Sequence, residues 1–267
     1  MRIGIMQLSL VPDDMETSFA LAAQAGLDGL EIACDTPDDA ASILGADGIA
    51  RVRQLTETHP VEVPGIGLGV LREGKSLFGD DAAVAAAKDL VHRAIGAAVE
   101  IGADLVLVPF LGKAAIELPE ELDRAIVNLD ELAEEAEEAD ITLGIESTLN
   151  VSQQRQLVEH LGAYTSVKVY YDTGNVLARK FDPATVLRDL GARRVCRVHF
   201  KDVRLGAEGA PPDYGVALGA GNVDFPAVVN AIRAIGYDGW VVLETPPTDD
   251  PLAAAKANLA FARSVLG

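Results

Sequence analysis

The chain is poor in the residues that build disulfide scaffolds, membrane spans and nucleic-acid surfaces. Only two cysteines, Cys34 and Cys196, stand far apart in 267 residues, which fits a reducing compartment and supplies no thiolate metal cluster. No run approaches the roughly 20 consecutive apolar residues that span a bilayer, so no membrane association is expected. Basic residues number 22 against 41 acidic ones, and the net charge of -19 would repel phosphate backbones. Nucleic acid is therefore not an expected partner.

The first residues also lack the features of a secretory signal. The start, Met1 to Met6, is soon followed by Pro12, without a long apolar stretch or a small-residue cleavage site. We therefore expect a cytoplasmic protein. Hydrophobic residues still make up 49% of the chain, which is enough for a sizeable core, and 267 residues is a usual length for one α/β barrel.

Apolar runs typical of strands alternate with helix-like runs from one end of the chain to the other. The predicted strands are Ile3–Gln7, Gly29–Ile32, Val63–Leu68, Leu105–Pro109, Thr142–Glu146, Val167–Asp172, Val195–His199 and Val241–Glu244. The predicted helices are Met15–Ala25, Asp47–Thr58, Asp81–Ile101, Glu120–Ala139, Ser152–Leu161, Pro183–Leu190, Pro226–Ile235 and Leu252–Val265. This alternation predicts an α/β fold, a (β/α)₈ TIM barrel formed by residues 1–267 as a single domain. A doubly wound open sheet would carry a glycine-rich phosphate turn after the first strand, and the segment from Gln7 to Pro12 has none.

Four successive predicted strands end in a residue that binds metal ions well. Side chains alternate along a strand, and this parity points Glu146, Asp172, His199 and Glu244 into the barrel. All four lie at the carboxyl ends of strands, where barrel enzymes carry their chemistry. Any one alone would more often be a helix cap, an ion-pair partner or a hydrogen-bonded core residue. Together, three carboxylates and one imidazole predict a single divalent cation, either Mn²⁺, Mg²⁺ or Co²⁺, with Zn²⁺ also possible.

Four further polar residues are candidates for substrate binding. Lys201 shares the inward parity of His199, so it is expected to hold a substrate oxygen or a neighbouring carboxylate. Arg204 is the nearest cation on the following loop and is a candidate for a phosphate or a sugar hydroxyl. Glu31, at the end of the second predicted strand, is interpreted as a substrate contact or an ion-pair partner. Asn175 is interpreted as a hydrogen-bonding residue of the pocket or as a turn residue.

Several segments that contain these residues form a recognisable series. They are residues 144–147 (GIES), 171–175 (YDTGN), 198–202 (VHFKD), 218–225 (LGAGNVDF) and 236–244 (GYDGWVVLE). In this order they resemble the xylose isomerase-like TIM barrel superfamily, in particular its sugar phosphate isomerase/epimerase family, and the general pattern covers nearly the whole chain. The resemblance implies that Glu146, Asp172, His199 and Glu244 bind the metal, and that Glu146 and Glu244 are also the acid/base pair. It further implies a homo-oligomer, because relatives are often dimers or tetramers. Gly219 and Gly221 are expected to shape the loop backbone.

The resemblance implies an isomerase or epimerase for a sugar or sugar phosphate, working by proton transfer through a metal-stabilised enediolate. One glutamate would remove the proton next to the carbonyl, and the other would return it. Return to the opposite face gives a ketose 3-epimerase, and return to the adjacent carbon gives an aldose–ketose isomerase. The sequence leaves open which sugar is the substrate and whether it carries a phosphate.

Three other functions are alternatives. The first is a metal-dependent lyase that dehydrates a keto-inositol or a related polyol. The others are a non-catalytic sugar-binding barrel and an AP endonuclease-like nuclease. The nuclease is the weakest, because a three-metal cluster needs more histidines at strand ends than this chain has. Its four histidines are His59, His92, His160 and His199, and the first three fall in or beside predicted helices.

Overall fold

The strands of the protein close into a parallel barrel in which they follow one another in chain order. The computed structural model describes residues 1–74, 76–162, 164–207 and 209–267. The eight strands are β1 (Arg2–Met6), β2 (Gly29–Ala33), β3 (Ile66–Gly67), β4 (Leu105–Phe110), β5 (Thr142–Ser147), β6 (Val167–Asp172), β7 (Val195–Phe200) and β8 (Trp240–Leu243). The predicted (β/α)₈ barrel is therefore confirmed.

Helices follow the strands along the chain. They are α1 (Met15–Ala25), α2 (Pro37–Ile43), α3 (Ala46–Thr58), α4 (Asp81–Ile101), α5 (Pro119–Glu138), α6 (Val151–His160), α7 (Thr173–Ala178), α8 (Pro183–Leu190), α9 (Phe225–Ile235) and α10 (Pro251–Leu266). Local sequence sets several of their ends. The Asp182 side chain caps α8, with proline in the first turn, and Gly26, Gly102 and Gly236 end their helices with positive φ. Among the described residues, no helix has the length and apolar character needed to cross a membrane.

The predicted elements differ from the structure in two respects. Strand β3 is much shorter than the predicted Val63–Leu68, and Pro64 lies in the part that is not a strand. Proline has no N–H to donate to a neighbouring strand, which accounts for the loss of regular pairing there. Two short helices, α2 and α7, were not predicted. A capping box on Thr36 stabilises the start of α2, and the Asp172 side chain caps the start of α7.

The described residues form two compact units. The first comprises Met1–Glu31, Thr58–Glu62 and Tyr171–Gly267, and the second comprises Ile32–Glu57 and Val63–Tyr170. In the first unit β8 pairs with β1 and β7, and the rings of Phe200, Phe225 and Phe261 pack in series with centroids 5.0 and 5.1 Å apart. In the second unit β4 pairs with β3 and β5. The single-domain boundaries remain a prediction.

Candidate metal centre

The four predicted metal ligands lie at or just beyond the carboxyl ends of their strands. Glu146 is the next-to-last residue of β5, Asp172 ends β6, His199 is the next-to-last residue of β7, and Glu244 directly follows β8. One potential ligand atom from each residue lies within 4.8 Å of those of the other three. Glu146, Asp172 and His199 are buried, and Glu244 is partly buried. The structure therefore brings together all four residues in a group able to hold a metal ion.

The His199 imidazole is fully buried and contacts carboxylates through both ring nitrogens. Its Nδ1 lies 3.2 Å from Glu244 Oε2 and 3.8 Å from Asp172 Oδ2, whereas its Nε2 lies 3.4 Å from Glu31 Oε1. An ionised carboxylate can only accept hydrogen bonds, so a proton on Nε2 would be donated to Glu31 and a proton on Nδ1 to Glu244. A metal bound at Nδ1 requires the first tautomer. The Nδ1 lone pair then points toward Glu244 and Asp172, as a metal ligand requires.

Asp172 has two roles that the sequence presented as alternatives. Its Oδ1 accepts a hydrogen bond of 2.7 Å from the backbone N–H of Asn175 and so caps helix α7. Its Oδ2 lies 3.8 Å from both His199 Nδ1 and Lys201 Nζ. One carboxylate oxygen thus starts the helix while the other faces the ligand cluster. The turn interpretation of Asn175 is wrong, because this residue is buried in α7, whose first turn Asp172 caps.

The two predicted cationic contacts have different surroundings. Lys201 Nζ lies 2.5 Å from Glu244 Oε1, so it holds a neighbouring carboxylate, as one of the two interpretations has it. The Arg204 guanidinium donates to the carbonyl of Ala220 at 3.1 Å and lies 3.6 Å from Asp213 Oδ2. Arg204 is therefore bound to its own loop. Substrate binding by Glu31, Asn175, Lys201 and Arg204 remains a prediction.

Sequence reasoning missed Tyr214, which lies beside the cluster. The Lys201 Nζ is 5.4 Å from the centroid of the Tyr214 ring. Burial raises the pKa of the phenol, and the Asp172 charge raises it further, so the hydroxyl stays protonated at neutral pH. Tyr214 is the one aromatic residue among residues 203–224, which follow β7. That position on a loop at the carboxyl end of a strand was the signal that could have identified it.

Short polar contacts fix the backbone on either side of the cluster. Thr173 Oγ1 donates to the Lys201 carbonyl at 2.7 Å and accepts from the Lys201 N–H at 3.0 Å, which ties the start of α7 to the end of β7. The N–H of Thr245 donates to Ser9 Oγ at 2.9 Å, and the Asn258 side chain donates to Thr245 Oγ1 at 3.1 Å. These contacts hold the residues next to Asp172, His199 and Glu244, so they limit how far the ligand atoms can separate.

The contact between Glu31 and His199 leads to a prediction about metal affinity. In Glu31→Gln the neutral amide can present either its oxygen or its NH₂ group to Nε2, so the tautomer that a metal at Nδ1 requires loses its carboxylate acceptor. We expect affinity for Co²⁺ or Zn²⁺ to fall by roughly 10- to 100-fold, as for other partners that orient a metal-binding histidine. Competition titration with a chromophoric chelator measures this directly. Glu62→Gln is the matched control because Glu62 is exposed and pairs with Arg2. Equal affinity in the wild type and Glu31→Gln would contradict this role.

A family profile and curated relatives agree with this architecture. The profile described as "Xylose isomerase-like TIM barrel" matches residues 19–265. A 2-epi-5-epi-valiolone 7-phosphate 2-epimerase from Actinoplanes sp. (strain ATCC 31044 / CBS 674.73 / SE50/110) is 26% identical over 265 residues, which cover 98% of this chain and 93% of the relative. An inosose dehydratase from Lacticaseibacillus casei is 28% identical over 159 residues, or 52% of this chain and 50% of that protein.

Solved structures share the fold over nearly the whole chain. An L-ribulose 3-epimerase superimposes with a TM-score of 0.81 at 22% identity, covering 99% of this chain and 94% of the other. The IOLI protein, whose structure contains a zinc atom, superimposes with a TM-score of 0.82 at 16% identity, covering 100% and 98%. These structures show the same fold, and the profile match over residues 19–265 shows that the chain belongs to the xylose isomerase-like TIM barrel family.

Proposed function

We propose that this protein is a divalent-metal-dependent isomerase or epimerase that acts on a ketose or a ketose phosphate. The observation that carries the proposal is that Glu146 and Glu244 belong to one compact ligand cluster with Asp172 and His199. The similarity to a full-length epimerase of a phosphorylated substrate supports the reaction class. Cytoplasmic location, a homo-oligomeric state and the lack of a nucleic-acid partner remain predictions from the sequence.

The donor set fits a divalent cation. Three carboxylates meet one imidazole, a combination that suits Mn²⁺, Mg²⁺ or Co²⁺ and also accommodates Zn²⁺. Closely spaced carboxylates with little access to water repel one another, and Lys201 offsets only part of their charge. A bound cation would offset the remainder and would make the proton beside a substrate carbonyl more acidic by polarising its oxygen.

The two glutamates provide the proton transfer. One glutamate, as the ionised carboxylate, removes the proton from the carbon next to the carbonyl, and the other, which begins the step protonated, donates its proton to the same carbon from the opposite face. The stereochemistry at that carbon is thereby inverted. Lys201 Nζ holds Glu244 Oε1 at 2.5 Å, which orients this carboxylate and leaves Oε2 on the side of His199. Protonation of the adjacent carbon instead would interconvert an aldose and a ketose.

Exchange with solvent tests the proposal. The wild-type protein, incubated in D₂O with L-ribulose or 2-epi-5-epi-valiolone 7-phosphate and each of Mn²⁺, Mg²⁺, Co²⁺ and Zn²⁺, should incorporate deuterium next to the carbonyl. NMR would detect the lost proton signal and the new epimer. Absence of exchange with both compounds under all four metals would contradict the proposed function.

Dehydration is a second candidate because part of the chain resembles inosose dehydratases. The same removal of a proton can be followed by loss of a hydroxyl from the next carbon. Incubation with an inosose separates the two reactions, since elimination yields a product lighter by one water molecule in mass spectrometry. A product of that mass, without epimerisation of L-ribulose or of 2-epi-5-epi-valiolone 7-phosphate, would favour the lyase.

A further inference from the structure

Asp202 fixes both ends of the loop that follows β7. This buried residue accepts four backbone hydrogen bonds, with lengths from 2.8 to 3.0 Å. Their donors are Val203, Gly219, Gly221 and Val223. A single carboxylate therefore binds the first residue of the loop and the segment in which the loop returns. Charge-assisted hydrogen bonds to backbone N–H groups are among the stronger ones in proteins.

The glycines of the 218–225 segment make this anchor possible. A Cβ at Gly221 would lie 2.3 Å from Asp202 Oδ1 and 2.6 Å from the carbonyl oxygen of Val203. Gly219 has a φ of +80° and also contacts the ring of Phe261, which a Cβ would approach to 2.5 Å. Residues 219 and 221 must therefore be glycine for the backbone to reach the carboxylate. The expectation that both shape the loop backbone is confirmed.

A second contact inside the loop orients its middle. Arg204 and Asp213 exchange backbone hydrogen bonds of 2.9 Å in both directions, and Asp213 Oδ1 accepts from the N–H of Gly215 at 2.8 Å. Tyr214 lies between Asp213 and Gly215 in the sequence. Its backbone is thus held by the loop's internal bridge, and the loop is in turn held by Asp202.

Tyr214 lies beside Lys201, and Lys201 contacts Glu244, one of the two proposed proton carriers. The ring lies 5.4 Å from Lys201 Nζ, and this nitrogen lies 2.5 Å from Glu244 Oε1. The residue is 38% exposed, so part of its ring remains accessible beside the lysine. An aromatic ring in such a position can pack against the C–H groups of a carbon chain whose oxygens point toward the polar cluster.

We propose that Tyr214 is a substrate-contacting residue that positions the carbon chain of a ketose, and that Asp202 is the positioning residue that holds Tyr214 in place. The proposal rests on the proposed function, because the contact has meaning only if a ketose binds at the cluster. The contact is made by the apolar face of the ring, so the phenol hydroxyl is expected to contribute less to substrate affinity than the ring does.

Binding and hydrogen exchange test the two halves separately. In the presence of Mg²⁺, Tyr214→Ala should raise the Kd or KM for L-ribulose roughly tenfold, with kcat changed by less than about threefold. Tyr214→Phe should recover most of that loss because it keeps the ring. Tyr164→Ala is the control, since Tyr164 precedes β6 and so lies at the amino end of that strand. An unchanged Kd and KM in Tyr214→Ala would overturn the substrate contact.

The anchor is tested without a substrate. Asp202→Asn replaces one accepting oxygen by an NH₂ group, so the two N–H bonds that this oxygen accepts are lost. Amide exchange in residues 203–223, measured by mass spectrometry, should accelerate by about tenfold or more relative to the wild type. Asp224→Asn is the matched control because Asp224 caps α9 through the Ala227 N–H, which asparagine can also accept, and is not part of the anchor. Unchanged exchange in Asp202→Asn would overturn the anchor.

The outcomes also separate this inference from the proposed function. Normal turnover of L-ribulose by Tyr214→Ala refutes the contact and leaves the proposed function intact. A wild-type protein that neither binds nor converts L-ribulose or 2-epi-5-epi-valiolone 7-phosphate refutes both. The exchange result for Asp202→Asn decides the anchor in either case.

Discussion

Glu146→Gln and Glu244→Gln are each expected to lower kcat/KM by about 10³-fold or more. Glutamine has nearly the same shape as glutamate but cannot accept a proton from carbon, and its neutral oxygen is a weaker metal ligand. The effect should appear in kcat, because in the proposed mechanism the carboxylate acts on the bond that breaks. Initial rates of epimerisation, followed by NMR with saturating metal, measure the loss.

The matched control is Glu131→Gln, which changes an exposed carboxylate that pairs with Lys88. Its kcat/KM should stay within about twofold of the wild type, as for most surface substitutions. If either cluster variant kept a tenth of the wild-type value, that glutamate would not be a proton carrier. Retained binding of unconverted L-ribulose by both variants and by the wild type would instead favour a sugar-binding barrel.

Removal of divalent metal should abolish activity, and its return should restore both activity and stability. Dialysis against EDTA is expected to lower turnover by about 10³-fold or more, because the carbonyl would no longer be polarised. Addition of Mn²⁺, Co²⁺ or Mg²⁺ should also raise the unfolding temperature, since an ion that binds only the folded state stabilises it. Calorimetry of the stripped and reloaded protein measures the second effect without any substrate.

His199→Asn separates the ligand cluster from incidental metal binding. Loss of the imidazole should weaken Co²⁺ binding at least 100-fold and remove most of the gain in unfolding temperature. His92→Asn is the control, because His92 is exposed and pairs with Glu135 rather than with the cluster. Full activity after verified metal removal would refute metal dependence, and unchanged Co²⁺ affinity in His199→Asn would refute this site.

The barrel and the ligand cluster were predictable because both follow from short repeating patterns. Alternation along β7 alone places His199 on the inner side, and the same parity applies to Asp172 at the end of β6. The pairing of His199 with Glu31 was not predictable, since 168 residues separate them. Such contacts depend on which strands become neighbours and on their register, neither of which a local pattern contains.

Helix α7 shows why local propensity failed near the cluster. Gly174 lowers helix propensity, so the segment after Asp172 suggested a turn. In the structure a Cβ at residue 174 would lie 3.0 Å from Lys201 Cγ and 3.1 Å from its carbonyl oxygen. Close approach of two chain segments, rather than flexibility, accounts for this glycine. The hydrogen bond from the Asn175 N–H to the Asp172 side chain then stabilises the first turn of a helix that the local residues do not favour.

Because Asp202 binds both ends of the loop, the residues that hold the loop in place differ from those in its middle. The residues that hold the loop, 202–203 and 219–223, lie at its ends, and none of the four hydrogen bonds that Asp202 accepts comes from the described residues 205–207 and 209–212. Exchanges in this stretch would therefore spare the four hydrogen bonds that Asp202 accepts. Under the proposed function, substrate range could therefore change through exchanges in this loop, including at Tyr214, while the four candidate metal ligands stay the same.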